Sequence, residues 1–268
     1  MVPMNRRNSL PSPPLREPVR RAEAGPWAIE LLPAAGYETR YIATQAAIGF
    51  AFDSQRGQHA IGSDRIRPFV ATPNGLAFIP PGCDVFSESP KGGEYLRLIR
   101  TDGTPLAGDH AFNNRIDRQA IALAQQMRSA LLRASVEDDW EDWALALVQR
   151  AAGDDRLSEP LRGSMTTQRL RLLDEFIDAG LDGALSVQAM AAVLGLSEGY
   201  FIRAFKDATG KSPHSYLIDR RLVRARDLLR HPAERLADIA QACGFASQAH
   251  MATAFRQRLG VSPRDMRG

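Results

Sequence analysis

The chain has 268 residues and a mass of 29.4 kDa, which predicts two compact domains. A hydrophobic share of 44% with 24% charged residues excludes a wholly disordered or collagen-like chain. Its two cysteines, Cys83 and Cys243, exclude a disulfide framework and a zinc site of four cysteines. No apolar run is long enough to cross a bilayer, so we expect a cytoplasmic protein without membrane contact.

The charge is unevenly distributed along the chain. Residues 1–22 carry a net charge of +4, residues 23–163 carry −5 and residues 164–268 carry +4. From Ser197 onward, 13 basic side chains stand against 7 acidic ones. This asymmetry indicates a basic C-terminal module that binds a polyanion, although a solvated charged surface explains the charge alone equally well.

The first 152 residues are predicted to form a tail, a β-rich domain and two helices. Residues 1–22 are rich in Pro and Arg, which predicts a disordered tail. Six short apolar or alternating runs follow, separated by turn residues, and predict a small antiparallel barrel or sandwich. The runs are 28–32, 41–43, 48–52, 66–71, 76–79 and 95–99, with the clearest turns at 73–75 and 80–82.

Two amphipathic helices are predicted after the strands. The first spans about Asn114 to Arg133, and the second begins after Ser135 as its N-cap. Their apolar side chains either cover the barrel or pair with a second copy of the chain, and the second alternative predicts a homodimer. These side chains are Leu123, Met127, Leu131, Trp140, Trp143 and Leu147.

The Gly- and Pro-containing segment from Gly153 to Ser164 predicts a hinge between the domains. We therefore expect a tail at 1–22, a first domain at 23–152, a linker at 153–165 and a second domain at 166–268.

The last hundred residues contain an internal repeat, offset by 49 residues before one turn and by 50 after it. Each copy predicts a helix, a turn opened by glycine, a serine that caps a second helix, and a Ser-Pro pair that starts a third. This order is typical of a helix-turn-helix unit. The matching residues are Met190-Ala191, Gly195, Phe205, Gly210 and Ser212-Pro213 in the first copy, and Ile239-Ala240, Gly244, Phe255, Gly260 and Ser262-Pro263 in the second.

A long apolar-striped helix between the copies is predicted to hold them at a fixed distance. Ile218, Leu222, Ala225 and Leu229 form its buried side. Arg220, Arg224 and Arg226 are predicted on its exposed side.

In these residues the sequence resembles the AraC/XylS type of bacterial transcription regulator, from about Thr167 to Arg267. The resemblance rests above all on Gly210-Lys211-Ser212-Pro213, Gly244-Phe245 and Gly260-Val261-Ser262-Pro263. It implies a C-terminal all-α domain of about seven helices with two helix-turn-helix units. The sequence departs from the family pattern at Met251, Thr253 and Met266, and Thr253 replaces a residue that is usually basic.

The resemblance implies two recognition helices in successive major grooves, about 34 Å apart. Arg203 is then suited to guanine, Gln248 to adenine and Ile202 to a thymine methyl group. Lys206 and Arg256 are suited to phosphates. His250 either contacts DNA or is a partly buried ring bonded to backbone. The predicted DNA-binding residues are Gly199, Ile202, Arg203, Lys206, Gln248, Ala249, His250, Ala252, Thr253 and Arg256.

The N-terminal domain resembles the cupin-like sensing module of that family more loosely, through residues 76–83. With only His59 and His110 in this domain and no His-x-His pair, we expect no metal, no cofactor and no enzymatic activity. The aromatic residues Tyr37, Tyr41, Phe50, Phe52 and Phe69 either line a small-molecule pocket or fill the core. Cys83 is either a redox sensor or inert packing.

The fold class expected is therefore α+β, with a β-rich cupin-like barrel, two helices and a helical DNA-binding domain. We expect a sequence-specific transcription regulator, and specifically an activator, that binds double-stranded DNA and RNA polymerase. Its N-terminal domain senses a small molecule or mediates dimerisation. The alternatives are a DNA-binding enzyme, which needs a nucleophile or metal cluster, and an architectural protein, which needs no acidic domain.

Overall fold

The computed structural model describes residues 18–106, 110–134, 138–152, 165–231 and 233–267. Within them, an N-terminal β-rich region with two helices is followed by a helical C-terminal region, which confirms the α+β class. The strands are β1 (Arg20–Ala24), β2 (Trp27–Leu32), β3 (Tyr37–Ile42), β4 (Ala47–Ala51), β5 (Gln55–Ile61), β6 (Arg67–Ala71), β7 (Gly75–Ile79), β8 (Asp84–Ser89), β9 (Tyr95–Arg100) and β10 (Phe112–Ile116).

The strands form two antiparallel sheets. One has six strands in the order β1-β2-β9-β4-β7-β10, and the other has four in the order β3-β8-β5-β6. The six-stranded sheet carries most of the apolar core, because every residue of β2 is buried and Ile48, Phe50, Leu76 and Leu98 are almost completely covered. The predicted turn at Asn74 is present, with Asn74 at a φ of 63°.

Four strands were not predicted, namely β1, β5, β8 and β10. They carry mainly polar residues: Gln55–Ile61 and Asp84–Ser89 lie in the four-stranded sheet, and only two residues of each strand are buried. The strand β1 pairs with β2 from Arg20, so the predicted tail at 1–22 extends too far into the fold. Residues 1–17 of that tail lie outside the described residues.

The two helices of the N-terminal region start later than predicted. α1 (Arg118–Arg133) is capped by Asp117, whose carboxylate accepts hydrogen bonds from the backbone amides of Gln119 and Ala120 at 2.9 Å. The predicted start at Asn114 is wrong, because Asn114 has a φ of 62° and lies in β10. α2 (Trp140–Ala152) begins at Trp140, and the proposed cap Ser135 lies outside the described residues.

Both helices pack within their own chain. Met127, Leu131, Trp140 and Leu147 are at most 6% exposed and belong to the core cluster of the six-stranded sheet. The covering alternative therefore accounts for this apolar stripe, and these four side chains are not available to a second subunit.

The C-terminal region contains seven helices in its described residues, as the resemblance implied. The linker predicted at 153–165 lies outside the described residues, apart from the buried Met165. The helices are α3 (Thr167–Ala179), α4 (Val187–Val193), α5 (Glu198–Thr209), α6 (Pro213–Leu229), α7 (Leu236–Ala242), α8 (Gln248–Leu259) and α9 (Pro263–Arg267).

The buried apolar residues form two clusters. One contains Met165, the inner faces of α3, α4 and α5, and the start of α6 at Tyr216 and Leu217. The other joins the six-stranded sheet, α1 and α2 to the rest of α6 and to α7 and α8. The apolar core of the N-terminal region is therefore continuous with the second half of the helical region and separate from the first half.

Candidate nucleic-acid interface

The two halves of the helical region have the same turn. In the first, the amide of Leu196 donates to the carbonyl of Ala191 at 3.0 Å, and Gly195 has a φ of 66°. In the second, the amide of Phe245 donates to the carbonyl of Ala240 at 2.9 Å, and Gly244 has a φ of 74°. Both glycines adopt the left-handed conformation that an L side chain disfavours, as the sequence predicted.

The second helix of each turn is twelve residues long and buries one face. On α5 the rings of Phe201 and Phe205 are fully covered, and on α8 Met251 and Phe255 are fully covered. Each helix ends at a left-handed glycine whose amide bonds a carbonyl four residues back. The same side of each helix is therefore fixed to the core, and the opposite side is left to solvent.

The serines at the N-termini of these helices differ. Ser247 accepts a hydrogen bond from the amide of His250 at 3.1 Å, as a side-chain cap does. Ser197 occupies the N-cap position of α5, but its side chain makes no capping hydrogen bond. The expectation that both serines cap by their side chains is wrong for Ser197. The Ser-Pro pairs do match, because Ser212 and Ser262 both cap the helices that follow.

The structure places every predicted DNA-binding residue on the accessible sides of α5 and α8. Ile202 and Ala252 are half-buried and the others are exposed. The exposed ones are Gly199, Arg203, Lys206, Gln248, Ala249, His250, Thr253 and Arg256.

Equivalent positions on the two helices differ in chemistry. Arg203 and Thr253 occupy matching places in the repeat, as do Lys206 and Arg256. Each helix therefore presents a basic side chain in its last turn, whereas the centre of the outer face carries a guanidinium on α5 and a hydroxyl on α8. The ring of His250 is exposed and packs edge-on against Phe245 at 5.4 Å, so the buried alternative for His250 is wrong.

The prediction for the exposed side of α6 is wrong for two of its three arginines. Arg224 is exposed, but Arg220 forms an ion pair with Asp178, and Arg226 forms one with the fully buried Glu94 of the N-terminal region. Periodicity cannot reveal this, because the partners of Arg220 and Arg226 lie on other elements, 42 and 132 positions away along the chain.

A second candidate site is a cavity of about 130 Å³ between the two sheets. Tyr37, Tyr41 and Phe69 line it, whereas Phe50 and Phe52 lie in the apolar core instead, so each alternative holds for part of the aromatic set. Burial raises the pKa of Tyr41, which keeps its hydroxyl protonated. Other lining residues are Thr39, His59, Ser87, Tyr95 and Arg97.

His59 and the two cysteines show no arrangement suited to metal or redox chemistry. The ring of His59 stacks on Phe69 at 4.8 Å, and burial lowers its pKa. Burial also raises the pKa of Cys83, and that of Cys243 to about 11, so both thiols are protonated near neutral pH. In the described part of the chain, no group of three or more His, Cys, Asp or Glu is arranged to hold a metal ion. No helix there is both long and apolar enough to span a membrane.

Two units of the same turn, joined by α6 and presenting equivalent sets of outward polar residues, define a double helix-turn-helix module. A family model described as a helix-turn-helix domain matches residues 190–268.

Three known proteins illustrate the similarity. The HTH-type transcriptional activator RhaS of Escherichia fergusonii is 33% identical over 163 residues, which are 60% of this chain and 59% of RhaS. The probable transcriptional regulator LumQ of Photobacterium leiognathi is 36% identical over 92 residues, 34% of this chain and 37% of LumQ. A solved regulator from Chromobacterium violaceum, described as having an AraC-type DNA-binding domain, is 31% identical over 37% of this chain and 89% of its own, with a TM-score of 0.36.

The chain is therefore similar to helix-turn-helix transcription regulators. The chain spans about 59% of the length of RhaS.

Proposed function

We propose that the protein is a sequence-specific transcription regulator that binds two neighbouring major grooves of double-stranded DNA, one with α5 and one with α8. The single observation that carries the proposal is the repeated turn, which gives two helices of equal length the same buried face and the same accessible face. Helices of this kind enter the major groove when their outer face carries donors and acceptors for base edges.

The side chains of the outer faces support separate roles in contacting bases and phosphates. Arg203 is exposed at the centre of α5, where its two parallel donors suit the O6 and N7 atoms of guanine. Gln248 lies at the exposed start of α8 and suits adenine. Lys206 and Arg256 lie in the last turns and are assigned to phosphates, where they hold each helix in register.

We further propose that the regulator is an activator that contacts RNA polymerase, by analogy with RhaS, which carries that description. The cytoplasm is the proposed location, and no cofactor is part of the proposal.

Selection from random duplexes tests the function. The full chain should enrich a site with two half-elements about 10 base pairs apart, and its affinity for that site should fall steeply with salt concentration. A protein that enriches no sequence, or binds all duplexes equally at every salt concentration, contradicts the proposal. An architectural role would give that second result.

We propose that the cavity between the sheets binds a small effector. A cavity of about 130 Å³ accommodates a molecule of roughly benzene size. Thr39 points a buried hydroxyl without a hydrogen-bond partner toward this space, and Ser87 and Arg97 add polar groups to an aromatic wall. Mass spectrometry of small molecules released on denaturing the purified full chain tests this, with Ala77→Phe as a variant that fills the cavity and should abolish the release.

A first domain that begins no later than β1 and ends near residue 152, a second domain at 166–268, the cupin-like nature of the first domain and the homodimer are part of the same proposal. Because the apolar stripes of α1 and α2 are covered within the chain, a homodimer requires another surface, such as that around the exposed Leu145. Sedimentation equilibrium of the full chain, compared with Leu145→Asp, measures it.

A further inference from the structure

The C-terminal ends of both recognition helices, α5 and α8, lie against the N-terminal domain. The side-chain amide of Asn74 donates a hydrogen bond of 2.8 Å to the carbonyl of Thr209, the last residue of α5. Both residues are completely buried. The last carbonyls of a helix have no partner inside the helix, so Asn74 supplies a cap for α5 from another domain.

The helix α1 adds an apolar contact at the same place. A methyl group built on Gly210, the residue after α5, would lie only 2.5 Å from Cδ1 of Ile121. Gly210 also has a φ of 70°, so the close approach and the backbone conformation both favour glycine here. The end of α5 therefore fits directly against the first turns of α1.

The end of α8 meets the other end of the same helix. A methyl group built on Gly260, which follows α8, would lie 2.7 Å from an Nη1 of Arg133 and 3.6 Å from Cβ of Ser129. The carbonyl end of a helix carries partial negative charge, so the guanidinium of Arg133 is favourably placed there. Ile121 and Arg133 are about 18 Å apart along α1.

A buried ion pair holds α1 to the middle of the module. Glu94 is fully buried and pairs with Arg128 of α1 and with Arg226 of α6, the helix that joins the two units. The N-terminal domain thus touches the end of α5, the centre of α6 and the end of α8.

We propose that the N-terminal domain sets the spacing of the two recognition helices, with Asn74, Ile121 and Arg133 as its positioning residues. This inference rests on the proposed function, since spacing matters only if both helices read DNA. A shift of one base pair moves a half-element by about 3.4 Å and rotates it around the duplex, so a fixed pair of helices discriminates between spacings. A change in α1, for example on effector binding, would reach both helices at once.

The test uses the full chain and two matched pairs of variants. Asn74→Gly removes the cap of α5 and keeps a residue that tolerates positive φ, and Asn114→Gly removes a comparable amide at a φ of 62° inside the N-terminal domain. Arg133→Glu reverses the charge beside α8, and Arg118→Glu makes the same change at the exposed start of α1.

Two measurements are made on each protein. The first is hydrogen exchange without DNA, in which Asn74→Gly should accelerate exchange at the end of α5 by about 2- to 10-fold, the effect of one lost buried hydrogen bond. The second is affinity for the wild-type selected duplex and for versions with one base pair added or removed between the half-elements. The preference of wild type for its own spacing should fall by about 2- to 10-fold in Asn74→Gly and in Arg133→Glu, and should stay unchanged in the two control variants.

Three results overturn the inference. Equal exchange rates at the end of α5 in Asn74→Gly and Asn114→Gly would show that the hydrogen bond from Asn74 does not stabilise this helix end. An unchanged spacing preference in Asn74→Gly and Arg133→Glu would show that these residues do not position the helices, and it would not contradict DNA binding. Tighter binding by the test variants at every spacing means that the contacts oppose DNA binding rather than guide it. A wild-type chain that selects no duplex contradicts the proposed function itself. The exchange experiment needs no DNA, so it still reports whether Asn74 holds the end of α5 in that case.

Discussion

The two helix-turn-helix units have nearly the same backbone and very different surroundings. The first unit packs around its own apolar cluster, in which the ring of Phe205 contacts those of Phe201 and Tyr216. Its links to the four-stranded sheet are polar, such as the ion pair of Arg56 with Glu175 at 2.9 Å. The second unit shares one apolar cluster with α1, α2 and the six-stranded sheet.

This difference indicates that a sequence repeat determines the local structure of each unit. How strongly each unit is coupled to the N-terminal domain depends on the residues that pack against it. The second unit and the N-terminal domain should stabilise each other, because unfolding of one exposes apolar surface of the other to water. The first unit should behave more independently, because exposed ion pairs contribute little.

The largest effect is expected from a matched pair of core truncations. Phe205→Ala and Phe255→Ala each remove a fully buried ring, at a cost of about 3–5 kcal/mol. Phe255→Ala should also accelerate hydrogen exchange in α2, since both lie in the shared cluster, whereas Phe205→Ala should leave α2 unchanged. Equal acceleration of hydrogen exchange in α2 by the two variants would show that both units are coupled to the N-terminal domain to the same extent.

Glu94→Gln should destabilise the junction by about 3 kcal/mol, because it removes the buried carboxylate that pairs with both Arg128 and Arg226. Burial alone would raise the pKa of Glu94, but the two guanidinium groups outweigh burial and lower it. The contribution of Glu94 is therefore complete above the unfolded pKa of about 4.3 and is lost as the pH falls through the lowered pKa.

Urea unfolding of wild type and Glu94→Gln across the acidic range measures this contribution. The difference in unfolding free energy between the two proteins should shrink toward low pH. A difference that stays constant with pH would show that the charge of Glu94 contributes nothing.

A smaller effect is expected at the centres of the two recognition helices. Arg203→Ala should weaken binding to the selected duplex by about 1–3 kcal/mol and change nonspecific binding little. Thr253→Ala, at the equivalent position, should cost less than about 1 kcal/mol, because a hydroxyl offers no bidentate contact. Titrations of both variants on selected and random duplexes check this. Equal losses on both duplexes would assign Arg203 to phosphate.

The smallest effect is expected at the polar link of the first unit. Arg56→Gln should change the free energy of unfolding by about 1 kcal/mol, and the change should diminish with added salt, because the close partner Glu175 is half exposed. The second partner, the buried Asp174, is 3.7 Å away and keeps its hydrogen bond from Tyr216. Thermal unfolding at low and high salt measures it. A salt-independent loss of several kcal/mol would mean that the first unit is coupled to the sheet as firmly as the second.

The helical domain could be predicted from the sequence because its signals are local. Gly195, Gly244 and the Ser-Pro pairs each determine a turn or a helix start within four residues, and all of these positions have the expected backbone. The accessible faces of α5 and α8 follow from the same periodicity. The assignment of particular residues to bases or phosphates stays a prediction.

The junction could not be predicted, because its contacts connect residues that are distant in the chain. Asn74 and Thr209 are 135 positions apart, and neither residue type signals such a contact. The same reason explains why Arg220 and Arg226 were wrongly placed in solvent. The missed strands β5 and β8 are mainly polar, so no apolar run marked them.

The most direct test of two-groove binding by one chain is a hydroxyl-radical footprint of the full protein on its selected duplex. We expect two protected segments on one face of the DNA, with centres about 10 base pairs apart. Lys206→Ala should weaken protection in one segment and Arg256→Ala in the other. A single protected segment that responds to both substitutions, or uniform protection of the duplex, would contradict binding by two recognition helices.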